Sequence, residues 1–245
     1  MKNVEISIKN LKMEVLSSKI RSFWEGDPND NVIMENFNSS RISMEKVPFN
    51  LAKEIIIKNH YSKTFPSAEI CLGFYIDGKL NTIIVYGKSA TSKMTDSLPG
   101  KYLELVRLFS FDWAGKNMES YCISQSIKYI KEHHPDIKVL VSFADPEQDH
   151  NGIVYQATTW LYCGTSQPDE WYIVDGKKIH PRSMVAKFGT RSESKLRNLG
   201  IDFERNFLHG NHRYIYILGS TKSEKNFLKR NLQYNVLPYP KKENY

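Results

Sequence analysis

The sequence predicts an α/β protein in which helices flank a mixed β-sheet. Two apolar segments, residues 70–76 and 80–86, lie on either side of an Asp-Gly pair, which is the pattern of an antiparallel hairpin. Residues 102–165 then alternate between strand and helix patterns, as in chains whose parallel strands are connected through helices. Antiparallel strands are therefore expected early in the chain and parallel ones later.

Composition limits the class of protein. The chain has 245 residues, 40% hydrophobic and 12% aromatic, enough for a sizeable core in one domain or in one domain with an appended lobe. A net charge of +7 favours a polyanionic partner. Three widely spaced cysteines among apolar residues indicate reduced thiols in a core. No export signal and no membrane-length apolar segment are present, so we expect a cytoplasmic protein.

The first half of the chain contains an extension and the hairpin. Residues 1–47 are predicted to form an N-terminal extension, with a strand at residues 4–8 and a polar loop at 25–31. Asn50 is the expected cap of a helix over residues 51–59, which His60 and Tyr61 follow.

The longest predicted strand covers residues 102–111, with Leu103, Leu105 and Phe109 on one face. Arg107 has the same parity, so we expect it at a sheet edge or inside the sheet with a partner. Asn117 is the expected cap of a helix over residues 118–134, which carries a stripe of isoleucines.

A strand over residues 139–143 leads into the densest polar chemistry of the chain. The next helix is predicted to bury one face, made of Ile153, Ala157, Trp160 and Leu161, with Tyr155 and Thr159 roughly opposite. Asp145 would then lie at the carboxyl end of a strand, and Tyr155 two to three turns into the helix.

The C-terminal third of the chain is basic. Residues 177–230 contain 13 Lys and Arg against 4 Asp and Glu. We predict a strand over residues 213–218, a short basic helix over 220–231 and an extended tail with two prolines. Residues 48–175 are expected to form the core, and residues 176–245 to pack on it.

Two constellations come before residue 121. His60 and Tyr61 suit a helix end, where the histidine satisfies carbonyl groups, or a general base or metal ligand. Arg107 needs an anion if it is buried, either a protein carboxylate or a bound phosphate. The turn with Gly115, Lys116 and Asn117 precedes a helix, and its free amides suit either anion binding or an ordinary cap.

Two further groups follow. Asp145, Asp149, His150 and Tyr155 lie within eleven residues, a concentration that suits acid and base chemistry on an amine, although an Asp-Pro pair is also common turn chemistry. The second group is the basic segment around Phe188, which is either a solvated helix face or a surface for DNA phosphates; its cations are Lys187, Arg191, Lys195 and Arg197.

Several motifs together resemble the Mom DNA-modification proteins of bacteriophages, which look like members of the GNAT acyltransferase superfamily. The motifs are LELVRLFSF, NHYSKTFPSA, SFADPEQDHNGIVYQATTWLYCGTS, FGTRSESKLRNLG, HRYIYILGS and YNVLPYP. The resemblance covers about residues 48–240 and leaves residues 1–47 out. It implies a GNAT-like mixed sheet and the conversion of adenine N6 in double-stranded DNA to a methylcarbamoyl form, which shields phage DNA from restriction.

The resemblance also implies roles for individual residues. Its catalytic set is His60, Ser120, Asp145 and Tyr155. An acyl-CoA or related donor would contact Arg107, Gly115, Lys116, Asn117 and Ser120. An iron-dependent step, with Fe(II), would use His60, Tyr61 and Asp145 as ligands. The glycine-rich pyrophosphate turn of ordinary GNAT enzymes is absent from FSFDWAGKNMES.

Two other functions remain alternatives from the residues. One is a GNAT-type N-acyltransferase that acts on an amine of a protein, a tRNA or a small molecule. The other is a DNA-binding module on a transferase fold that has lost its activity. The sequence leaves the donor, the DNA context and the oligomeric state open.

Overall fold

The structure is a computed structural model and describes residues 38–88, 93–148, 150–179 and 181–241. The predicted strand at residues 4–8, the loop at 25–31 and Asp149 lie outside the described residues.

Strands and helices alternate along the described chain. Their order is β1 (Ile42–Lys46), α1 (Phe49–Asn59), β2 (Ile70–Ile76), β3 (Lys79–Gly87), α2 (Lys93–Ser97), β4 (Tyr102–Ser110), α3 (Met118–His133), β5 (Val139–Ala144), α4 (Ile153–Ala157), β6 (Leu161–Thr165), β7 (Asp169–Val174), β8 (Lys177–Ile179), α5 (Pro181–Phe188), α6 (Glu193–Asn198), β9 (Glu204–Leu208), β10 (His212–Ile217) and α7 (Lys222–Arg230).

The strands form a seven-stranded sheet in the order β1-β2-β3-β4-β5-β10-β6 and a three-stranded sheet in the order β8-β7-β9. Strands β1 to β4 pair antiparallel, whereas β4 and β5 pair parallel. The mixed α/β class is therefore confirmed. Strand β1 was not anticipated from the sequence, and it lies within the predicted extension of residues 1–47.

The predicted hairpin is confirmed. Asp77 and Gly78 join β2 to β3 with φ angles of 49° and 80°. Two successive residues with positive φ are the geometry of the tight turn that matches the twist of paired strands, and Asp-Gly adopts it at low cost.

Strand β4 contains one extra residue. Tyr86 pairs with Leu105 and Val85 pairs with Arg107, so Val106 is a β-bulge opposite the step between Val85 and Tyr86. Paired residues share a face and consecutive residues alternate, which puts Leu105 and Arg107 on opposite faces. The prediction that Arg107 and Phe109 share a face with Leu105 is wrong, because simple parity does not count a bulge.

Helices α1 and α3 are confirmed, with corrections at their starts. Asn50 was the predicted cap of α1, but Pro48 occupies the N-cap position, and no side chain caps this helix. Asn117 is at the N-cap of α3 in a left-handed conformation, and its side chain makes no cap hydrogen bond. The isoleucine stripe of α3 is buried, with Ile123, Ile127 and Ile130 at most 4% exposed.

Helix α4 differs most from its prediction. It ends at Ala157, and the left-handed Thr159 (φ 61°) breaks the pattern before Trp160. Ile153, a predicted core residue, is 64% exposed, whereas Tyr155 is only 7% exposed and lies in the first turn. The apolar spacing suits a long helix that would bury Ile153. The observed helix is short, and it buries the Tyr155 side chain instead.

The chain forms two compact units. Of the described residues, the first contains 38–88, 93–142, 154–160 and 215–234, and the second contains 143–148, 150–153, 161–179, 181–214 and 235–241. The second unit has its own small core, made of Tyr172, Val174, Met184, Leu196 and Phe203. The predicted boundary between residues 175 and 176 falls in the turn of the β7–β8 hairpin.

Other expectations concern the C-terminal elements, the cysteines and membranes. Strand β10 and helix α7 agree with the predicted strand and basic helix. The cysteines are buried free thiols, and burial raises the pKa of Cys71 to about 11. Within the described parts of the chain, no helix has the length and apolar character needed to cross a membrane.

A prediction concerns two adjacent isoleucines of α1. Ile56 is fully buried against β2 and β3, whereas Ile57 is 39% exposed. Ile56→Ala is expected to lower the free energy of unfolding by about 2–5 kcal/mol, because it leaves a cavity, and Ile57→Ala by about 0.5 kcal/mol. Urea unfolding of the two variants measures the difference, and equal losses would contradict the described core.

Candidate functional site

Arg107 is a half-buried cation that contacts only neutral oxygen atoms. Its Nε and Nη2 donate to the carbonyl and the hydroxyl oxygen of Thr64 at 3.1 and 2.7 Å, and Nη1 donates to the carbonyl oxygen of Val106 at 2.6 Å. Burial lowers the pKa of Arg107, and the nearby Tyr61 and Glu104 partly offset this effect. Since no carboxylate of the described chain forms an ion pair with it, its charge suits a bound anion.

His60 ends helix α1, as the sequence predicted. Its backbone N–H donates to the carbonyl oxygen of Ile56 at 2.9 Å. Its imidazole Nδ1 accepts the backbone N–H of Ser62 at 3.1 Å and lies 2.9 Å from the Ser62 hydroxyl. An Nδ1 that accepts a hydrogen bond puts the proton of a neutral imidazole on Nε2.

The iron-ligand hypothesis gains no support from these contacts. With its Nδ1 lone pair engaged and its Nε2 protonated, the His60 ring offers a cation no lone pair in this tautomer. Among residues 38–88, 93–148, 150–179 and 181–241, no group of three or more His, Cys, Asp and Glu side chains is placed to hold a metal ion. The described contacts therefore give no support to Fe(II), and we derive no step through it.

The turn before α3 presents backbone amides. Gly115 and Asn117 have φ angles of 76° and 73°, and the Ser120 hydroxyl donates to the carbonyl oxygen of Asn117 at 3.0 Å. The first amides of a helix have no partner within it, so they can receive an anion. Glu119 lies in the same turn, so a bound anion would compete with its carboxylate.

Tyr155 lies against the last residue pair that joins β4 to β5. This parallel pairing ends at Leu105 and Ser142. The fully buried Ser142 hydroxyl is 2.8 Å from the Tyr155 hydroxyl and 3.0 Å from the carbonyl oxygen of Leu105. The three oxygen atoms form a short chain inside the first unit.

A second buried tyrosine, Tyr86, lies near Tyr155. Its hydroxyl is 2.7 Å from the Ser126 hydroxyl of α3. Burial raises the pKa of Tyr86, the hydrogen bond with Ser126 offsets part of the effect, and Tyr155 adds to it. Tyr86 is therefore a neutral phenol at physiological pH.

The register of strands β3 and β4 determines which face of the sheet carries Arg107 and which carries the Tyr155 hydroxyl. Arg107 pairs with Val85, which packs in the core that contains α1, whereas Leu105 pairs with Tyr86, which contacts α3. Arg107 and the Tyr155 hydroxyl therefore belong to opposite faces of the sheet. The loop after α1 brings Thr64 to Arg107, and Tyr61 is close enough to influence the Arg107 charge.

Asp145 belongs to the second unit, in a closed turn. Its carbonyl oxygen accepts the backbone N–H groups of Gln148 and His150 at 3.1 and 3.2 Å. The Tyr214 hydroxyl donates to the carbonyl oxygen of Asn151 at 2.5 Å. Gly152 follows with a φ of 70°, and a Cβ there would lie 2.2 Å from the Tyr214 ring. The turn between Asp145 and α4 is thus held at both ends.

The four predicted DNA-binding cations lie on α5, α6 and the turn between them, and all are exposed. Within the described chain none of them pairs with a carboxylate, whereas the neighbouring Arg205 contacts Glu170 and Glu193. Lys187 lies over the Phe188 ring and Arg197 over the Phe203 ring, 5.0 and 5.3 Å from the centroids. Cations without carboxylate partners are available to an external polyanion.

Sequence reasoning missed Thr64, Ser126 and Ser142. Ser142 had a visible signal, since it is the one polar residue in the apolar strand VLVSFA. Ser126 lies on the isoleucine face of α3, another detectable signal. Thr64 had none, because its role depends on how the loop after α1 folds back.

Comparisons with known proteins point to one family. The model of the Mom protein family matches residues 41–241. The methylcarbamoylase Mom of Escherichia phage Mu is 30% identical over 240 residues, which are 95% of each chain.

Solved structures with some likeness are acetyltransferases. A spermidine N-acetyltransferase from Vibrio cholerae is 8% identical, covers 78% of this chain and 99% of its own, and has a TM-score of 0.45. An N-acetyltransferase from Staphylococcus aureus Mu50 is 12% identical, covers 72% and 97%, and has a TM-score of 0.40. Because these scores are low, the family relationship depends on the sequence matches.

A prediction separates steric from conformational effects at Gly152. Gly176, in the β7–β8 turn, has nearly the same φ, 71°, but no atom within 4 Å of an added Cβ. Gly176→Ala should destabilise the protein by about 1–2 kcal/mol through backbone strain alone. Gly152→Ala should cost about 1–3 kcal/mol more, because its Cβ meets the Tyr214 ring. Thermal unfolding of both variants tests this, and equal costs would show that the ring does not restrict Gly152.

Proposed function

Because the chain belongs to the Mom protein family, we propose that it is a transferase that converts adenine N6 in phage DNA to the methylcarbamoyl form. The observation that carries the proposal is the 30% identity with the methylcarbamoylase of phage Mu over 95% of both chains. Modified DNA would resist host restriction enzymes, and the reaction would take place in the cytoplasm of the infected cell.

The reaction needs an exposed base and two proton transfers. Adenine N6 is paired within the duplex, so the base must leave the stack before it reacts. The bond from N6 to the transferred carbon forms while the bond from that carbon to the donor's leaving group breaks. Tyr155 gives its proton to the leaving group, and a general base takes the proton that N6 loses. Solvent then restores both groups to their starting protonation states.

The donor is proposed to be a carrier with anionic groups, such as a coenzyme A derivative, that delivers a carbamoylmethyl group, because transfer of a simple acyl group would leave an N6-acyl adenine. Arg107 supports this choice, because its hydrogen bonds go only to neutral oxygens of the described residues. Gly115, Lys116, Asn117 and Ser120 supply amides and a cation at the start of α3 for a phosphate.

The donor has to reach Tyr155 from the Arg107 face. Its path would pass the point at which β4 and β5 stop pairing, after Leu105 and Ser142. The bulge at Val106 follows this point directly, and bulges are common next to active sites.

Mass spectrometry of nucleosides from cells that express the protein tests the proposal. The wild-type protein should yield deoxyadenosine that is heavier by the transferred group. Tyr155→Phe should abolish this product, since it removes the proposed proton donor. Tyr86→Phe should retain it, because Tyr86 is also a buried tyrosine bonded to a serine but has no role in the reaction. Each variant loses a buried hydrogen bond to a serine, worth about 1 kcal/mol, and thermal unfolding of both variants checks that they are folded.

Other outcomes would replace the proposal. Unaltered DNA together with acylated lysine or another acylated amine would indicate a general N-acyltransferase. Protection from restriction that survives both Tyr155→Phe and Asp145→Asn would indicate a DNA-binding protein without transferase activity.

A further prediction concerns the salt dependence of DNA binding. Lys195 is exposed and has no carboxylate partner in the described chain, whereas Lys101 lies 3.3 Å from Asp136. Lys195→Gln should reduce the slope of log affinity against log salt by about 0.9, through the loss of one phosphate contact. Lys101→Gln should leave the slope unchanged. Fluorescence anisotropy with a DNA duplex over a potassium chloride series measures both, and a wild-type affinity insensitive to salt would argue against DNA binding.

A further inference from the structure

The guanidinium of Arg107 uses only part of its capacity for hydrogen bonds within the described chain. Nε and Nη2 donate to the carbonyl and the hydroxyl oxygen of a single residue, Thr64, and Nη1 donates to the carbonyl oxygen of Val106. A guanidinium has one N–H group on Nε and two on each terminal nitrogen. One N–H group is therefore left on Nη1 and one on Nη2, and pairs of N–H groups bind the two oxygens of a phosphate or a carboxylate.

We propose that Thr64 is a positioning residue that fixes the Arg107 guanidinium, so that its two remaining N–H groups bind one oxyanion of the donor. The inference rests on the proposed role of Arg107 in binding the donor. The oxyanion is either a phosphate of the carrier or a carboxylate elsewhere in the donor. Both present two oxygens to a guanidinium, and the two probes of the experiment distinguish them.

The loop after α1 holds Thr64 in place from both sides. Before it, Lys63 has a left-handed conformation with a φ of 49°, and its backbone N–H donates to the carbonyl oxygen of His60 at 3.0 Å. After it, Phe65 packs against the core formed by α1, β2 and β3 and contacts the Phe49 ring edge-on, with centroids 4.9 Å apart. The two Thr64 oxygens are therefore at fixed positions before an anion arrives.

The hydroxyl of Thr64 provides one of the three bonds that hold the guanidinium. It accepts from Nη2 at 2.7 Å, and its own proton points towards the Ser62 hydroxyl oxygen at 3.5 Å. Without this hydroxyl, Nη2 would lose its anchor, and the outer end of Arg107 would move more freely. A long side chain that is not held loses conformational entropy when an anion binds, so binding becomes weaker.

The surroundings of Arg107 leave its positive charge available to an anion from solvent. Arg107 is half-buried and Thr64 is exposed, so the guanidinium lies near the surface. Glu104 is near enough to raise the pKa of Arg107, but within the described chain it forms no ion pair with it. Thr64 and Val106 offer neutral oxygens, which orient the guanidinium without neutralising it.

Nitrogen-15 NMR of the full-length protein, labelled at arginine, tests the proposal. Sodium phosphate and sodium acetate are the probes, at constant ionic strength, and the Arg107 signals are those missing from Arg107→Lys. One of the probes should shift these signals to saturation. Thr64→Val, which keeps the shape but lacks the hydroxyl, should weaken that binding about three- to tenfold, the cost of ordering a long side chain. Tighter binding of phosphate would identify a carrier phosphate, and tighter binding of acetate a carboxylate.

The same spectra contain the controls. Thr64→Ser retains the hydroxyl and should bind the probe with wild-type affinity. Without a probe, the two Nη signals of Arg107 should be separate in the wild type and in Thr64→Ser, and should merge in Thr64→Val, because rotation of the group is then less restricted. Arg41, whose Nε donates to Asp77 at 2.8 Å, should give the same signals throughout and shows that each variant is folded.

Three results would overturn the inference. They are Arg107 signals that neither probe shifts, a Thr64→Val variant that binds the probe as tightly as the wild type, and a loss that Thr64→Ser shares. Failure of the proposed function is seen separately. Unmodified DNA together with a saturable shift at Arg107 would refute the transferase but not the oxyanion site, whereas modified DNA without any shift would refute only the oxyanion site.

Discussion

The extra residue at Val106 is the constraint on which the rest of the candidate site depends. Pairing on both sides of it places Leu105 on the face of α3 and Arg107 on the face of α1. Without the bulge, Arg107 would point at Tyr86 and α3, into a tightly packed apolar layer, and its charge would be costly there. With the bulge, a cation and a buried phenol lie on either side of the strand at the point where β5 stops pairing.

The basic side chains of the protein lie in two kinds of environment. Neutral oxygens hold Arg107 in a half-buried position. Solvent screens its charge only weakly there, so the charge suits a single anionic group bound at a fixed position. Lys187, Arg191, Lys195 and Arg197 are exposed on the small second unit, where salt screens them and where they suit a long polyanion. The net charge of +7 counts both kinds of cation, so it does not tell one kind from the other.

The sequence was sufficient for the mixed sheet and the hairpin at Asp77-Gly78. It was also sufficient for the isoleucine stripe of α3 and for the basic character of the C-terminal third, because each depends on residues close together in the chain. It was insufficient for α4, where a left-handed Thr159 ended the helix and reversed the predicted exposure of Ile153 and Tyr155. The rule that apolar residues three or four positions apart share a buried face applies only to a helix with several turns.

What the sequence determined by itself was local: hydrophobic period, turn chemistry, charge and the family motifs. Only the tertiary structure decided that Arg107 changes face, that Thr64 folds back to hold it, and that Ser142 lies between Leu105 and Tyr155. These contacts join residues from 13 to 43 positions apart. Strand register and loop path set such distances, and both follow from how the whole core packs, which no local pattern encodes.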